Sequence, residues 1–101
     1  MKLVLTTCPV DKAKELARKV VEAKLAGCVV ELKSNFSLFW WKGKIEEERE
    51  SMLVIKTLEE KVEKVVEKLK SIHPYSVPFI AVLDVESVND EYLRWLKETL
   101  G

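Results

Sequence analysis

The chain carries one histidine, and it opens a loop with several other reactive groups: His73-Pro74-Tyr75-Ser76-Val77-Pro78. Imidazole is a common metal ligand and titrates near ~6.5 when unperturbed. Glu50 ends the acidic run that starts at Glu46, and its place near a sheet interior, opposite an aromatic strand, sets it apart from Glu46, Glu47 and Glu48. Those three read as a solvated edge that discourages stray strand pairing. His73 and Glu50, joined by Tyr75 or Lys56, can line a cleft between protomers. The competing reading is that the imidazole only satisfies backbone groups of its own loop. Lys56 stands at a strand end just before a helix, where a cation and a helix N-terminus together suit an anion. Trp41 and Trp95 can floor a small-molecule pocket or anchor an interface. The candidate metal ligands are His73, Glu50 and Cys28. Copper would prefer His and Cys, while Mg or Ca would prefer oxygen. The alternative for Cys28 is a small buried hydrophobe after a helix end.

No C-x-x-C, H-x-x-x-H or carboxylate-rich loop offers a ready metal site within one chain, so a site would draw ligands from several chains. No nucleophile elbow, Gly-rich phosphate loop or well-spaced acid–base dyad is present, so no enzymatic activity is expected. The charge is balanced, 17 basic against 17 acidic residues, which argues against nucleic acid as a partner. Lysine and glutamate supply most of it, with no glutamine and two asparagines, the pattern of a hot-living source. No apolar run approaches the ~20 residues of a membrane span, and Met1-Lys2 leads straight into a strand without a signal peptide. A cytoplasmic protein, not attached to a membrane, is expected.

The 101 residues make a single domain, 1–101, with too little Gly and Pro for a linker. Lys2–Thr7 reads as a strand. Asp11 is placed to cap a helix whose apolar stripe is Ala13, Leu16, Ala17, Val20, Val21 and Leu25, with Gly27 as its C-terminal cap. Residues 28–57 read as two long strands reversing at Gly43. A second helix spans about Leu58–Ile72, with Glu60–Lys64 and Glu67–Lys70 as stabilising pairs. Phe79–Val85 is apolar throughout, which suits a central or covered strand. Asn89 or Asp90 can cap a last helix carrying Tyr92, Leu93, Trp95 and Leu96. Cys8 and Cys28 fall near opposite ends of parallel strands, ~20 Å apart, beyond the reach of a disulfide.

Strand, helix, strand, strand, helix, strand with an added helix predicts an α+β, ferredoxin-like split β-α-β sandwich (βαββαβ plus a C-terminal helix). Its central hairpin is overlong. Strands of ~15 residues would reach roughly 50 Å, whereas a compact domain of this size is about 35 Å across. The hairpin must bend near Ser34-Asn35. Its outer part is apolar on both faces, with Phe36, Leu38 and Trp40 on one and Phe39 and Trp41 on the other. Such a ribbon cannot be left in water, and the expected cover is another copy of the chain, with Phe36, Leu38, Phe39 and Trp40 at the contact.

Several stretches in order resemble the CutA divalent-cation tolerance family. They are Thr6-Thr7-x-Pro9, Leu25-Ala26-Gly27-Cys28-Val29, Ser37-x-x-x-Trp41-x-Gly43-Lys44, Glu50, Lys56-Thr57, His73-Pro74-Tyr75-x-x-Pro78 and Tyr92-x-x-Trp95. The resemblance covers the whole chain. It implies a homotrimer whose protomers extend one another's sheets, and a cytoplasmic role in copper and other divalent-metal homeostasis, with no enzymatic reaction. Metal or a small ligand would bind at clefts between protomers, lined by Trp41, Glu50, Lys56, His73, Tyr75 and Trp95. The trimer of this family is similar to that of nitrogen-regulatory signalling proteins, so the alternative is a signalling or scaffold trimer that senses a small anionic metabolite. Three positions depart from the family pattern. Val30 replaces a frequent Asn, Phe79 a frequent Glu, and Thr6 stands where some members carry a cysteine, Cys8 lying two residues later.

Overall fold

The computed structural model describes residues 1–101 as β1 (Lys2–Pro9), α1 (Ala13–Glu22), β2 (Cys28–Trp41), β3 (Lys44–Thr57), α2 (Val62–Ile72), β4 (Ile80–Asp84) and α3 (Asp90–Leu100). The four strands form one antiparallel sheet in the order β2-β3-β1-β4, the topology of a ferredoxin-like split β-α-β sandwich. Alternation along β1 and β3 divides the sheet into two faces. Val4, Cys8, Leu53 and Ile55 point to the helix side and pack with Ala13, Leu16 and Val20 of α1 and Val65 and Leu69 of α2. The opposite, open face carries Leu3, Leu5, Met52, Val54 and Lys56, none of them fully buried.

The helix termini differ from the sequence reading. Asp11 caps nothing, because Val10–Lys12 make a single 3₁₀ turn and α1 starts only at Ala13, with no side-chain cap. Gly27 is not the helix cap either. The helix stops at Glu22, and Lys24 takes the left-handed turn with φ 57°. Gly27 is instead a packing glycine, since a Cβ there would meet Leu96 Cδ1 at 2.4 Å. Asn89 occupies the N-cap of α3, but its side chain reaches Glu91 rather than a backbone N–H. A 3₁₀ turn over Glu59–Lys61 delays α2 to Val62. Leu58 therefore leaves the α2 stripe and packs with Leu96 and Leu100 in a second, smaller core. Neither Glu60–Lys64 nor Glu67–Lys70 forms an ion pair. The pairs four residues apart are on α1 instead, Arg18–Glu22 at 3.3 Å and Lys19–Glu15 at 3.9 Å.

β4 is an edge strand beside β1, not a central one, and Val82 and Leu83 stand exposed on it. Ile80 packs against the core, but the outer part of the strand's apolar run is left uncovered within the chain. The hairpin turns at Lys42-Gly43, both at positive φ (50° and 77°), the signature of a two-residue type I′ turn matched to strand twist. The register shifts between Leu32 and Asn35, with Ser34 at φ 57°, so the expected bend is a β-bulge. The molecule is drawn out to 45 × 25 × 21 Å.

Candidate functional site

At the bulge the hairpin leaves the body of the domain, and there Glu50 is buried, only 7% exposed, although the rest of its acidic run is exposed. The burial comes from the loop after α2. Tyr75 Oη donates to Glu50 Oε2 at 2.6 Å, tying the loop to β3. The loop is in turn set by its histidine. The Tyr75 backbone N–H donates to His73 Nδ1 at 3.1 Å, so the ring proton lies on Nε2, which donates to the Thr7 carbonyl at 2.9 Å. Pro74 between them stiffens the arrangement, and the His73 and Tyr75 rings stand 5.1 Å apart. Burial, followed by the hydrogen bond and charge of Glu50, pushes the Tyr75 phenol well above its ordinary range.

Above this pair, the loop and the hairpin flank an open pocket of about 730 Å³. Phe39, Trp41, Pro74, Val77 and Phe79 give it apolar walls, while Glu46, Glu48 and Glu50 line one side. Cross-strand pairing explains the grouping: Asn35, Ser37, Phe39 and Trp41 stand opposite Glu50, Glu48, Glu46 and Lys44 on one face of the ribbon. The other face carries Phe36, Leu38, Trp40 and Ile45, all exposed, with Trp40 at 72%.

Lys56 and Trp95 belong to a different place. Lys56 lies six residues from Glu50 on β3, roughly 20 Å at ~3.3 Å per residue. Its Nζ stands 5.1 Å from the Tyr92 ring centroid, and Tyr92 packs on Trp95 with centroids 5.3 Å apart. Cys28 pairs with Lys56 across the ladder and shares this far end. Within the chain the residues expected to line one cleft thus divide into Trp41, Glu50, His73 and Tyr75 at one end of the open face and Lys56 and Trp95 at the other, where the candidate metal ligand Cys28 also lies, far from His73 and Glu50. No three of the His, Cys, Asp and Glu side chains gather as a metal cluster within the chain. Thr7 was missed in the sequence reading. Its role is a backbone carbonyl, which no residue type announces.

Cys8 lies fully buried one residue beyond Thr7, and both cysteines are free. Burial, with the charges of Glu31, Glu50 and Asp11, pushes its thiol up to about 11, so it stays protonated and inert near neutrality. Below the bulge Ser51 Oγ donates to Glu31 Oε2 at 2.7 Å, a pair absent from the sequence reading.

The chain is a small ferredoxin-like α+β protein with a projecting two-faced arm and a pocket at its root, and comparison with known proteins places it in a family. Residues 2–99 match the CutA1 divalent ion tolerance protein family, and the chain belongs to it. The divalent-cation tolerance protein CutA of Thermotoga maritima is 41% identical over 103 residues, covering 99% of each chain. The human protein CutA is 44% identical over 93 residues, 91% of this chain and 52% of that one, so the chain spans about half of that longer relative. The solved structure of the periplasmic divalent cation tolerance protein CutA from Archaeoglobus fulgidus superposes with a TM-score of 0.94 at 35% identity, covering 100% of both chains. No helix of the present chain is long and apolar enough to cross a membrane.

Proposed function

We propose that the chain acts as a homotrimer in divalent-metal homeostasis, with copper the leading candidate, and binds a metal ion or small ligand in clefts between protomers without catalysing a reaction. The arm carries this reading. It keeps its ladder from Asn35 to Trp41 yet exposes Phe36, Leu38, Trp40 and Ile45 on one face and Phe39 and Trp41 on the other. A strand pair with no apolar shelter of its own calls for a second copy of the chain. The open sheet face and the uncovered edge of β4 call for the same thing. In such an assembly the Glu50–Tyr75 end of one protomer can meet the Lys56–Trp95–Cys28 end of the next, completing a cleft that one chain holds in halves. His73 would join as a ligand only by releasing the Thr7 carbonyl or the Tyr75 N–H. Two free cysteines suit the reducing cytoplasm.

Light scattering on dilution, followed by calorimetric titration with Cu(II) and Zn(II) of the wild type and His73→Ala, tests this. A trimer whose metal affinity falls in His73→Ala supports it. A stable single subunit at dilute concentration overturns the assembly, and undiminished affinity in the variant eliminates His73 as a ligand.

A second reading is a signalling or scaffold trimer that senses a small anionic metabolite, with metal effects indirect. Lys56 favours it, because its ammonium lies over Tyr92 with no carboxylate within ion-pair range. Titration with inorganic phosphate or a dicarboxylate, with Lys56→Ala as control, separates the two.

A further inference from the structure

We propose that the loop after α2 is a strap that sets the direction of the arm, with Tyr75 as the positioning residue, and thereby governs how tightly the arm holds a second copy of the chain. The inference rests on the reading that copies of the chain cover the arm, and it names the device that aims it.

The bulge is a pivot. The ladder between β2 and β3 is interrupted from Leu32 to Asn35, with Ser34 in a left-handed turn, so the pairing that would keep the two halves in line is broken there. Support from β1 stops at the same level. Its last partner on β3 is Glu50, opposite Pro9, and beyond Glu50 the arm has no ladder partner outside the hairpin. Asn35 Nδ2 donates to the Leu32 carbonyl and Arg49 to the Ser34 carbonyl, bonds that shape the bulge locally and stay within the hairpin. One side-chain hydrogen bond reaches the root of the arm from elsewhere in the chain, the 2.6 Å bond from Tyr75 Oη to Glu50 Oε2.

The strap itself is firm. His73 Nε2 donates to the Thr7 carbonyl at 2.9 Å, and the buried Thr6 Oγ1 donates to the Phe79 carbonyl at 2.7 Å, so both ends are pinned to adjacent residues of β1. Pro74 and Pro78 stiffen the span between them. Leverage makes the single tie matter. Asn35–Trp41 extend for roughly 23 Å at ~3.3 Å per residue, so a tilt of about 10° at the root would move the tip by about 4 Å. Close-packed contacts do not absorb such a shift. An arm already held in line loses less freedom when a neighbour docks on it.

The test mixes tagged and untagged copies of the whole chain and follows subunit exchange by native mass spectrometry, with urea unfolding in parallel. Tyr75→Phe should exchange about tenfold faster than wild type. Ser51→Ala breaks the Ser51–Glu31 bond, which lies at the same level but within the hairpin, and should lower the urea midpoint at an unchanged exchange rate. Tyr75→Phe/Glu50→Met removes the strap without stranding a buried carboxylate, so it should regain the midpoint and still exchange fast. Wild-type exchange in either Tyr75 variant, or equally fast exchange in Ser51→Ala, overturns the inference while the assembly stands. A wild-type chain that is a single subunit overturns the assembly and this inference together.

Discussion

Below the bulge, β3 alternates buried Leu53, Ile55 and Thr57 with half-buried Met52, Val54 and Lys56, while above it every residue from Lys44 to Arg49 is exposed. Both halves belong to one hairpin and one ladder. What differs is the cover: α1 and α2 lie over the lower half, whereas the upper half has only the loop after α2 beside one face and nothing over the other. Apolar content does not track this difference. The upper half also carries two tryptophans, two phenylalanines, Leu38 and Ile45, large apolar side chains that remain exposed. Backbone pairing is therefore a local matter of strand propensity and turn chemistry, whereas burial depends on what else the chain, or its copies, can bring near. A residue pattern reports that cover is needed and leaves open what provides it.

The sharpest way to break the comparison is to charge the arm. Phe39→Glu with Trp40→Glu should abolish assembly, because each carboxylate placed in a dry contact costs several kcal/mol (about 3–5 when unpaired). Light scattering should then report single subunits or aggregate. A soluble assembly with an unaltered melting temperature would mean that these side chains face water in the working protein.

Truncating one leucine in each half gives the next contrast. Leu53→Ala, fully buried, should lose about 2–5 kcal/mol in denaturant unfolding through its cavity. Leu38→Ala should stay within about 0.5 kcal/mol if the arm is free in solution. A loss near that of Leu53→Ala would place Leu38 in a buried contact between chains.

The root of the arm, where the halves meet, is held by Tyr75 and Glu50. Tyr75→Phe leaves a buried carboxylate without its donor and should cost about 1–3 kcal/mol. The effect has a pH signature. The folded state holds the Tyr75 proton more tightly than the unfolded chain, where a phenol titrates near ~10. This contribution is complete below that pH and is lost as pH rises beyond it. Cys8 acts in the same direction in a lower window, with its thiol raised from 9.0 to about 11 on folding. Wild-type urea midpoints should therefore fall from pH ~9 upward. Cys8→Ala should flatten the early part of that decline and Tyr75→Phe the later part. Parallel curves for all three proteins would detach the decline from these groups.

The fold was legible because its signals are local and repeated: the stripes of α1 and α2, the strand runs, Gly43 at the turn, and a ribbon too long to stay straight. What escaped the sequence depended on contacts distant in the chain. Gly27 looked like a helix cap because glycine serves that role often, yet Leu96, far along the chain, dictates its lack of a side chain. Phe79–Val85 looked central because it is apolar on both faces, and that pattern cannot distinguish cover within the protomer from cover by a neighbour. Glu50 is the buried member of its acidic run, as its place near the sheet interior suggested, and Tyr75 lies beside it. Lys56, Trp95 and Cys28 lie at the far end of β3, because a set of residues read from sequence carries no distance. The His73 tautomer could not be foreseen, since it is set by the Thr7 carbonyl and the Tyr75 N–H.

The tip of the arm allows the gentlest probe. Lys42 takes the first position of the turn at φ 50°, a left-handed conformation that Asn tolerates better than Lys because its short side chain can bond locally. Lys42→Asn should therefore stabilise the hairpin by about 0.5 kcal/mol. The effect should appear in a different place according to what the arm does. If the arm is free, its ladder can fray without unfolding the core, and the gain shows as slower amide exchange at Phe39–Glu46 with no change in the global midpoint. If neighbouring chains clamp the arm, fraying requires dissociation, and the gain moves to the melting temperature of the assembly. An effect confined to local exchange in a concentrated sample would count against the clamped arm, even though the substitution touches none of the apolar side chains.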